Sequence, residues 1–261
     1  MAILERRDTG AVTQLVMNAP ERLNALSDEM LAALHSALDE IADDQSIRVV
    51  VLFGTGKAFC AGHDLKQMTA GRQVDDGGKA YFKDLFGRCA AMMARVQSLP
   101  QPVIAQVHGI ATAAGCQLVA TCDMAVAASG TRFGVNGVNI GLFCSTPMVA
   151  LSRNIPRKQA FEMLTTGAFI DSDRAETLGL INRVVAAEDL EAETMALAQT
   201  VAAKLGVAVK VGKKAFYNQI QMNVADAYAY TGDVMVENML HCDTIEGIEA
   251  FLDKRDPTWE Q

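Results

Sequence analysis

Residues 102–123 read PVIAQVHGIATAAGCQLVATCD. The run opens with Val103-Ile104-Ala105-Gln106-Val107, short, apolar and β-branched enough to predict a buried strand. His108 and Gly109 interrupt it, and Ala111, Ala113, Ala114 and Gly115 then place four small residues within five positions. Cys116-Gln117-Leu118-Val119-Ala120 has helical character and no proline. Small side chains where a strand meets a helix let backbone, or a ligand, approach backbone. A helix starting there aims its free N–H groups and the positive end of its dipole into the gap. Taken alone, the stretch fits tight helix–strand packing better than a binding site.

A second loop of the same kind tips that balance. Arg48-Val49-Val50-Val51-Leu52-Phe53-Gly54 is the clearest strand in the chain, and Gly54-Thr55-Gly56-Lys57-Ala58-Phe59-Cys60-Ala61-Gly62-His63-Asp64-Leu65 follows it. A phosphate-binding loop is excluded, because it needs glycine five residues before the Gly-Lys pair and a hydroxyl after it. Val51 and Ala58 stand at those places. No GxGxxG follows a strand either.

With 261 residues, half of them hydrophobic and 21% charged, the chain can build a large core. A net charge of −8 with no compensating basic face argues against a nucleic-acid partner. The N-terminal residues lack the apolar stretch of a signal peptide, and no run of about 18 apolar residues occurs. The expectation is a cytoplasmic protein with no membrane partner. The six cysteines (60, 89, 116, 122, 144 and 242) show no CxxC and read as reduced, buried thiols, not as a zinc or disulfide framework.

In chain order, the pattern predicts a hairpin at 3–17 turning at Asp8-Thr9-Gly10, then a helix capped by Ser27. Residues 70–79 (AGRQVDDGGK) read as a polar, glycine-rich loop before a helix that Pro100 ends. Met124–Ala128 is a short strand, Thr131–Gly141 an irregular run, and Ile181–Val185 the last strand. From Glu188 onward everything reads as helix. Strands and helices alternate over the first two-thirds, so the class is α/β with a helical end.

These loops, with the segment before the first helix, resemble the crotonase superfamily, that is, enoyl-CoA hydratase/isomerase. The resemblance rests on Pro20-Glu21-Arg22-Leu23-Asn24-Ala25-Leu26, Gly56 to Leu65, Pro102 to Asp123, and Phe133-Gly134 with Gly141 eight residues after Phe133. It covers nearly the whole chain. The runs Ala111 to Val119 and Gly141-Leu142-Phe143-Cys144-Ser145-Thr146-Pro147 resemble one subgroup in particular, the enoyl-CoA hydratase domain-containing proteins of type three. The resemblance implies a spiral of β-β-α turns with a helical C-terminal trimerisation region. It divides the chain into an acyl-CoA-binding core at 1–190 and an oligomerisation region at 191–261, assembled as a homotrimer or dimer of trimers. Coenzyme A enters as part of an acyl-CoA thioester substrate, with no other cofactor and no metal.

The resemblance also assigns roles. The backbone N–H groups of His63 and Ala114 would hold the thioester oxygen. The coenzyme A arm would lie near Leu23, Ala25, Ala61, Gly62, Asp64 and Leu65, with Arg22 and Lys57 available to its phosphates. Ile110, Gly141 and Cys144 would line the acyl pocket. Two glutamates activate water in the hydratases, and their positions fall here on Gln117 and Gly137. An amide cannot accept and return a proton at neutral pH, and glycine offers nothing. Efficient hydration is therefore not expected. The alternatives are a non-catalytic acyl-CoA-binding protein, or a thioesterase using Cys144 or Ser145. Asp64 and Asp123 read as caps and not as bases.

Overall fold

A computed structural model describes residues 2–260. Strands β1 (Leu4–Thr9) and β2 (Val12–Met17) form the antiparallel hairpin, with Gly10 at φ +58° in its turn. The Ser27 hydroxyl accepts from Met30 N–H and starts α1 (Asp28–Asp43), whose first turn carries Asp28 and Glu29. Then come β3 (Val49–Gly54), α2 (Leu65–Gly71), α3 (Lys79–Ser98), β4 (Val103–Val107), β5 (Ile110–Thr112), α4 (Ala114–Thr121), β6 (Met124–Ala128) and β7 (Arg132–Gly134). A 3₁₀ turn at Asn136–Ile140 leads into α5 (Pro147–Asn154) and α6 (Arg157–Thr166). The chain continues through β8 (Ile170–Asp171), α7 (Ser172–Leu178) and β9 (Arg183–Val185). It ends in four helices, α8 (Leu190–Ala202), α9 (Gly206–Gln219), α10 (Val224–Met239) and α11 (Cys242–Asp253).

The main sheet runs β1-β2-β3-β4-β6-β9 and is parallel except for the first pair. Its central strands are buried on both faces, which is why they read as unbroken apolar runs. Val50, Leu52, Val103, Ala105 and Val107 face the large core with α1, α3 and α4. The alternate residues Val49, Val51, Ile104 and Val126 face α8 through Leu190 and Ala198. A small sheet, β5-β7-β8, stands beside the main one and pairs Ala111 with Phe133 and Thr112 with Gly134. Strands of two or three residues leave little periodicity to read, so β5, β7 and β8 are absent from the sequence-based expectation.

The C-terminal helices are anchored by one polar knot. Lys213 on α9 reaches the core, where its ammonium donates to the Val96 and Gln101 carbonyls and meets Asp123 at 2.6 Å. The Tyr217 hydroxyl and Val103 N–H donate to the same carboxylate. Asp123 is thus a partly buried ion-pair partner and not the cap expected from its position. Helix α10 has no buried residue, and Val224, Tyr228, Met235, Val236 and Met239 leave it with a broad apolar surface. Five cysteines are buried as expected, but Cys242 is exposed, at the first turn of α11. Among the described residues no single helix is long and apolar enough to cross a membrane.

Candidate active site

Four loops lie side by side, clipped by backbone hydrogen bonds. Ala61 N–H donates to the Leu23 carbonyl, and Leu26 N–H to that of Gly62 at 2.8 Å. Cys60 N–H donates to Ile110, Thr112 N–H returns to Cys60, and Ala113 N–H donates to Gly134 at 2.9 Å. Asn24, at φ +51°, locks the first pair of loops: its side chain accepts from Ala19 N–H and donates to the Thr55 and Ala58 carbonyls. The glycine/alanine composition of residues 111–115 follows from this crowding. A Cβ on Gly115 would collide with the Cys60 carbonyl of the neighbouring loop.

Gly62, the residue before His63, comes up against Ala113 and Ala114 in this layered arrangement. Ala113 adopts φ +49° and ψ −118°, a strained conformation for a residue with a Cβ, and ends β5 so that Ala114 becomes the first residue of α4. Gly62 has φ +87°, and the place its Cβ would occupy lies 3.2 Å from the Ala114 nitrogen and 3.0 Å from the Ala113 methyl carbon. Among the described residues neither His63 N–H nor Ala114 N–H has a hydrogen-bond partner. Strain followed by two unpaired donors is a pattern found at ligand sites. The His63 imidazole faces elsewhere. Its Nδ1–H donates to the Leu26 carbonyl at 3.3 Å, which leaves Nε2 without a proton, buried and unpartnered, and Phe86 packs edge-on to the ring. Burial holds its pKa below the ordinary imidazole value.

One helical turn on from Ala114, Gln117 is 5% exposed and its Oε1 has no partner among the described residues. Gly137 sits in the 3₁₀ turn with no room for a side chain. A Cβ there would meet the Leu142 carbonyl oxygen at 2.5 Å and Cys144 Sγ at 2.9 Å. The Cys144 thiol therefore fills the space beside Gly137. Burial pushes its pKa up, partly offset by a hydrogen bond with the Gly137 backbone. Ser145 is exposed, with its hydroxyl turned to the Phe143 carbonyl. The nearest histidine in sequence, His108, is bonded through Nε2 to the Gly56 carbonyl at 2.9 Å. Asn136 accepts from the Thr112 hydroxyl at 2.6 Å, and Asn139 donates to the Gly167 carbonyl at 3.3 Å.

A cleft of about 620 Å³ gathers Arg22, Leu23, Ala25, Ala61, His63, Asp64 and Leu65, with Lys66 and Gln67 from the first turn of α2. Asp64 is the cap expected for it: its carboxylate accepts from Lys66 and Gln67 N–H, and Arg22 approaches to 3.6 Å. Lys57 lies outside this cleft, exposed and unpaired, while Lys66 supplies a cation the sequence reading passed over. Its signal was its place, two residues after a helix-capping aspartate. Ala114, Gln117, Gly137 and Cys144 stay outside the cleft, as do the half-buried Ile110 and the exposed Gly141, which ends the 3₁₀ turn at φ +80°.

Known proteins share both fold and sequence. The enoyl-CoA hydratase/isomerase family profile matches residues 7–261. An enoyl-CoA hydratase structure from Mycobacterium smegmatis is 52% identical, covers 99% of each chain and superposes with a TM-score of 0.95. The structure of human enoyl Coenzyme A hydratase domain-containing protein 3 superposes with a TM-score of 0.94 at 41% identity, over 98% of this chain and 100% of that one. The mitochondrial enoyl-CoA hydratase domain-containing protein 3 of Xenopus laevis is 45% identical over 248 residues, 95% of this chain and 83% of its own. The expectation of a cytoplasmic protein is overturned here. It rested on the N-terminal residues alone, and the frog, mouse and human relatives are all named as mitochondrial. In fold and along nearly its whole length, the chain belongs to the enoyl-CoA hydratase/isomerase family of the crotonase superfamily.

Proposed function

We propose that this chain is an acyl-CoA-processing enzyme that holds the thioester oxygen between the backbone N–H groups of His63 and Ala114. The observation behind this reading is the pair of unpartnered donors, on loops pressed together at Gly62 and Ala113. A thioester oxygen gains negative charge as the adjacent carbon becomes enolate-like, and preorganised donors at a helix start stabilise that charge. The coenzyme A arm enters along the cleft from Leu23 to Leu65, with Arg22 and Lys66 toward its phosphates. Chemistry that needs a carboxylate to deliver or remove a proton is poorly served, because Gln117 and Gly137 stand where the glutamates of the hydratases stand.

The same replacements favour a second reading, an acyl-CoA-binding protein without turnover. A thioesterase has less support: Cys144 is held as a thiol by burial, and the His108 ring is committed to Gly56. Substituting Ala114→Pro removes one donor at a first helical position, where proline is tolerated. Loss of a donor of this kind costs about 10²–10³ in kcat. Turnover of an acyl-CoA panel that stays unchanged in a variant melting like wild type would exclude Ala114 from the site. The exposed apolar residues of α10 fit a homotrimer or dimer of trimers, which sedimentation equilibrium tests; a stable monomer at micromolar concentration would contradict it.

A further inference from the structure

At the turn between α10 and α11, far along the chain from the acyl-CoA loops, His241, Cys242 and Asp243 bring an imidazole nitrogen, a thiol and a carboxylate oxygen within 4.8 Å of one another. The three are consecutive, so the geometry belongs to one short segment at the first turn of α11. Asp243 is the unusual member. It is 1% exposed; one of its oxygens accepts from Glu260 N–H at 2.7 Å, and the other, fully buried, has no hydrogen-bond partner among the described residues. A buried carboxylate oxygen without a donor is costly to keep. The one guanidinium lining the same hollow, Arg255, is committed to Glu246 through two contacts of 2.7 and 2.8 Å, so it does not balance Asp243.

We propose that this segment is a binding site for a divalent transition-metal ion of borderline softness, such as Zn²⁺ or Co²⁺. One Asp243 carboxylate oxygen, the Cys242 sulfur and a His241 ring nitrogen lie close enough for one cation to bind all three, and the orphan oxygen belongs to the same carboxylate. The donor set selects the ion: thiolate and imidazole suit zinc-like metals, while calcium and magnesium prefer all-oxygen sets. A single water could satisfy the Asp243 oxygen but would leave its charge uncompensated. On binding, the Cys242 S–H bond breaks, its proton passes to solvent and a sulfur–metal bond forms, with nothing oxidised or reduced. The thiolate and the carboxylate together neutralise the ion. Cys242 is the one exposed cysteine, so the ion can reach it from solvent. The His241 Nδ1 lies 3.9 Å from Cys242 Sγ and accepts from Asp243 N–H at 3.3 Å, a cap bond that the ion replaces on binding. Water completes the coordination. The helix start is an unfavourable place for a positive charge, and the two anionic ligands outweigh that small dipole term.

The test uses the full chain, stripped with a chelator and titrated with Co²⁺ while the cobalt–thiolate charge-transfer absorption is followed. Wild type should show a saturable band with one equivalent per chain, displaced by Zn²⁺. Cys242→Ser should abolish the band without altering the melt of the metal-free protein. Asp243→Asn keeps an acceptor for Glu260 N–H and should weaken Co²⁺ binding about tenfold or more. A wild-type protein with no saturable band overturns the site. A band that survives Cys242→Ser overturns it too, since the thiolate would then come from elsewhere.

Discussion

Gly62 and Ala114 stand face to face: a methyl group on Gly62 would sit 3.2 Å from the Ala114 nitrogen. It would also press on the Ala113 methyl carbon and the Thr112 carbonyl, and Gly62 adopts φ +87°, which a Cβ penalises. Gly62→Ala should therefore destabilise the fold by about 1–3 kcal/mol and shield the Ala114 N–H. Urea denaturation reads the first effect, and calorimetric binding of an acyl-CoA reads the second. Wild-type affinity in this variant would place the ligand elsewhere.

Placing carboxylates at Gln117 and Gly137 meets a steric obstacle at only one of the two positions. Gly137 is not held at positive φ; what bars a side chain is the Leu142 carbonyl, with Cys144 Sγ beside it. Gly137→Glu should lower the melting temperature, by an overpacking cost of about 1–3 kcal/mol. Gln117→Glu should fold and raise crotonyl-CoA hydration by less than about 10²-fold, because a lone carboxylate supplies only part of general acid–base help. A Gly137→Glu variant as stable as wild type would show that the turn relaxes.

His63 gives the fold an acid-sensitive group. Its folded pKa lies below the ordinary 6.5 because burial disfavours the imidazolium. Below that ordinary value the unfolded chain takes up a proton that the folded chain refuses. The contribution of His63 is thus complete above about pH 6.5 and declines as pH falls toward the folded pKa. Thermal melts from about pH 7.5 down to about pH 5 should drop more steeply for wild type than for His63→Gln. Parallel curves would contradict the buried neutral imidazole.

Lys213 and Asp123 hold α9 to the core through one buried contact of 2.6 Å. Lys213→Met removes the cation and leaves the partly buried carboxylate with only the Tyr217 and Val103 donors. The expected loss in urea denaturation is about 3–5 kcal/mol. A loss below about 1 kcal/mol would mean that α9 is held by apolar packing alone.

The junctions that matter most were legible because small residues in a row have few uses. Ala111 to Gly115 and Gly54 to Gly62 marked two strand-to-helix turns, and both became clipped loops. Three features were hidden for physical reasons. Strand β5 spans Ile110–Thr112, too short for a period to register. Lys213 and Asp123 lie 90 positions apart, and no local pattern announces their meeting. The thiol of Cys144 beside Gly137 depends on the path of the turn between them, which residue types alone do not define.

The central claim is that the site polarises a thioester carbonyl without adding water. The direct measurement is the absorption spectrum of a conjugated enoyl-CoA mixed with the protein. A carbonyl held by the His63 and Ala114 N–H groups draws electron density toward oxygen, so the band should shift to longer wavelength and persist, and Ala114→Pro should abolish the shift. An unshifted band in wild type, or one that bleaches promptly as water adds across the double bond, would contradict the account.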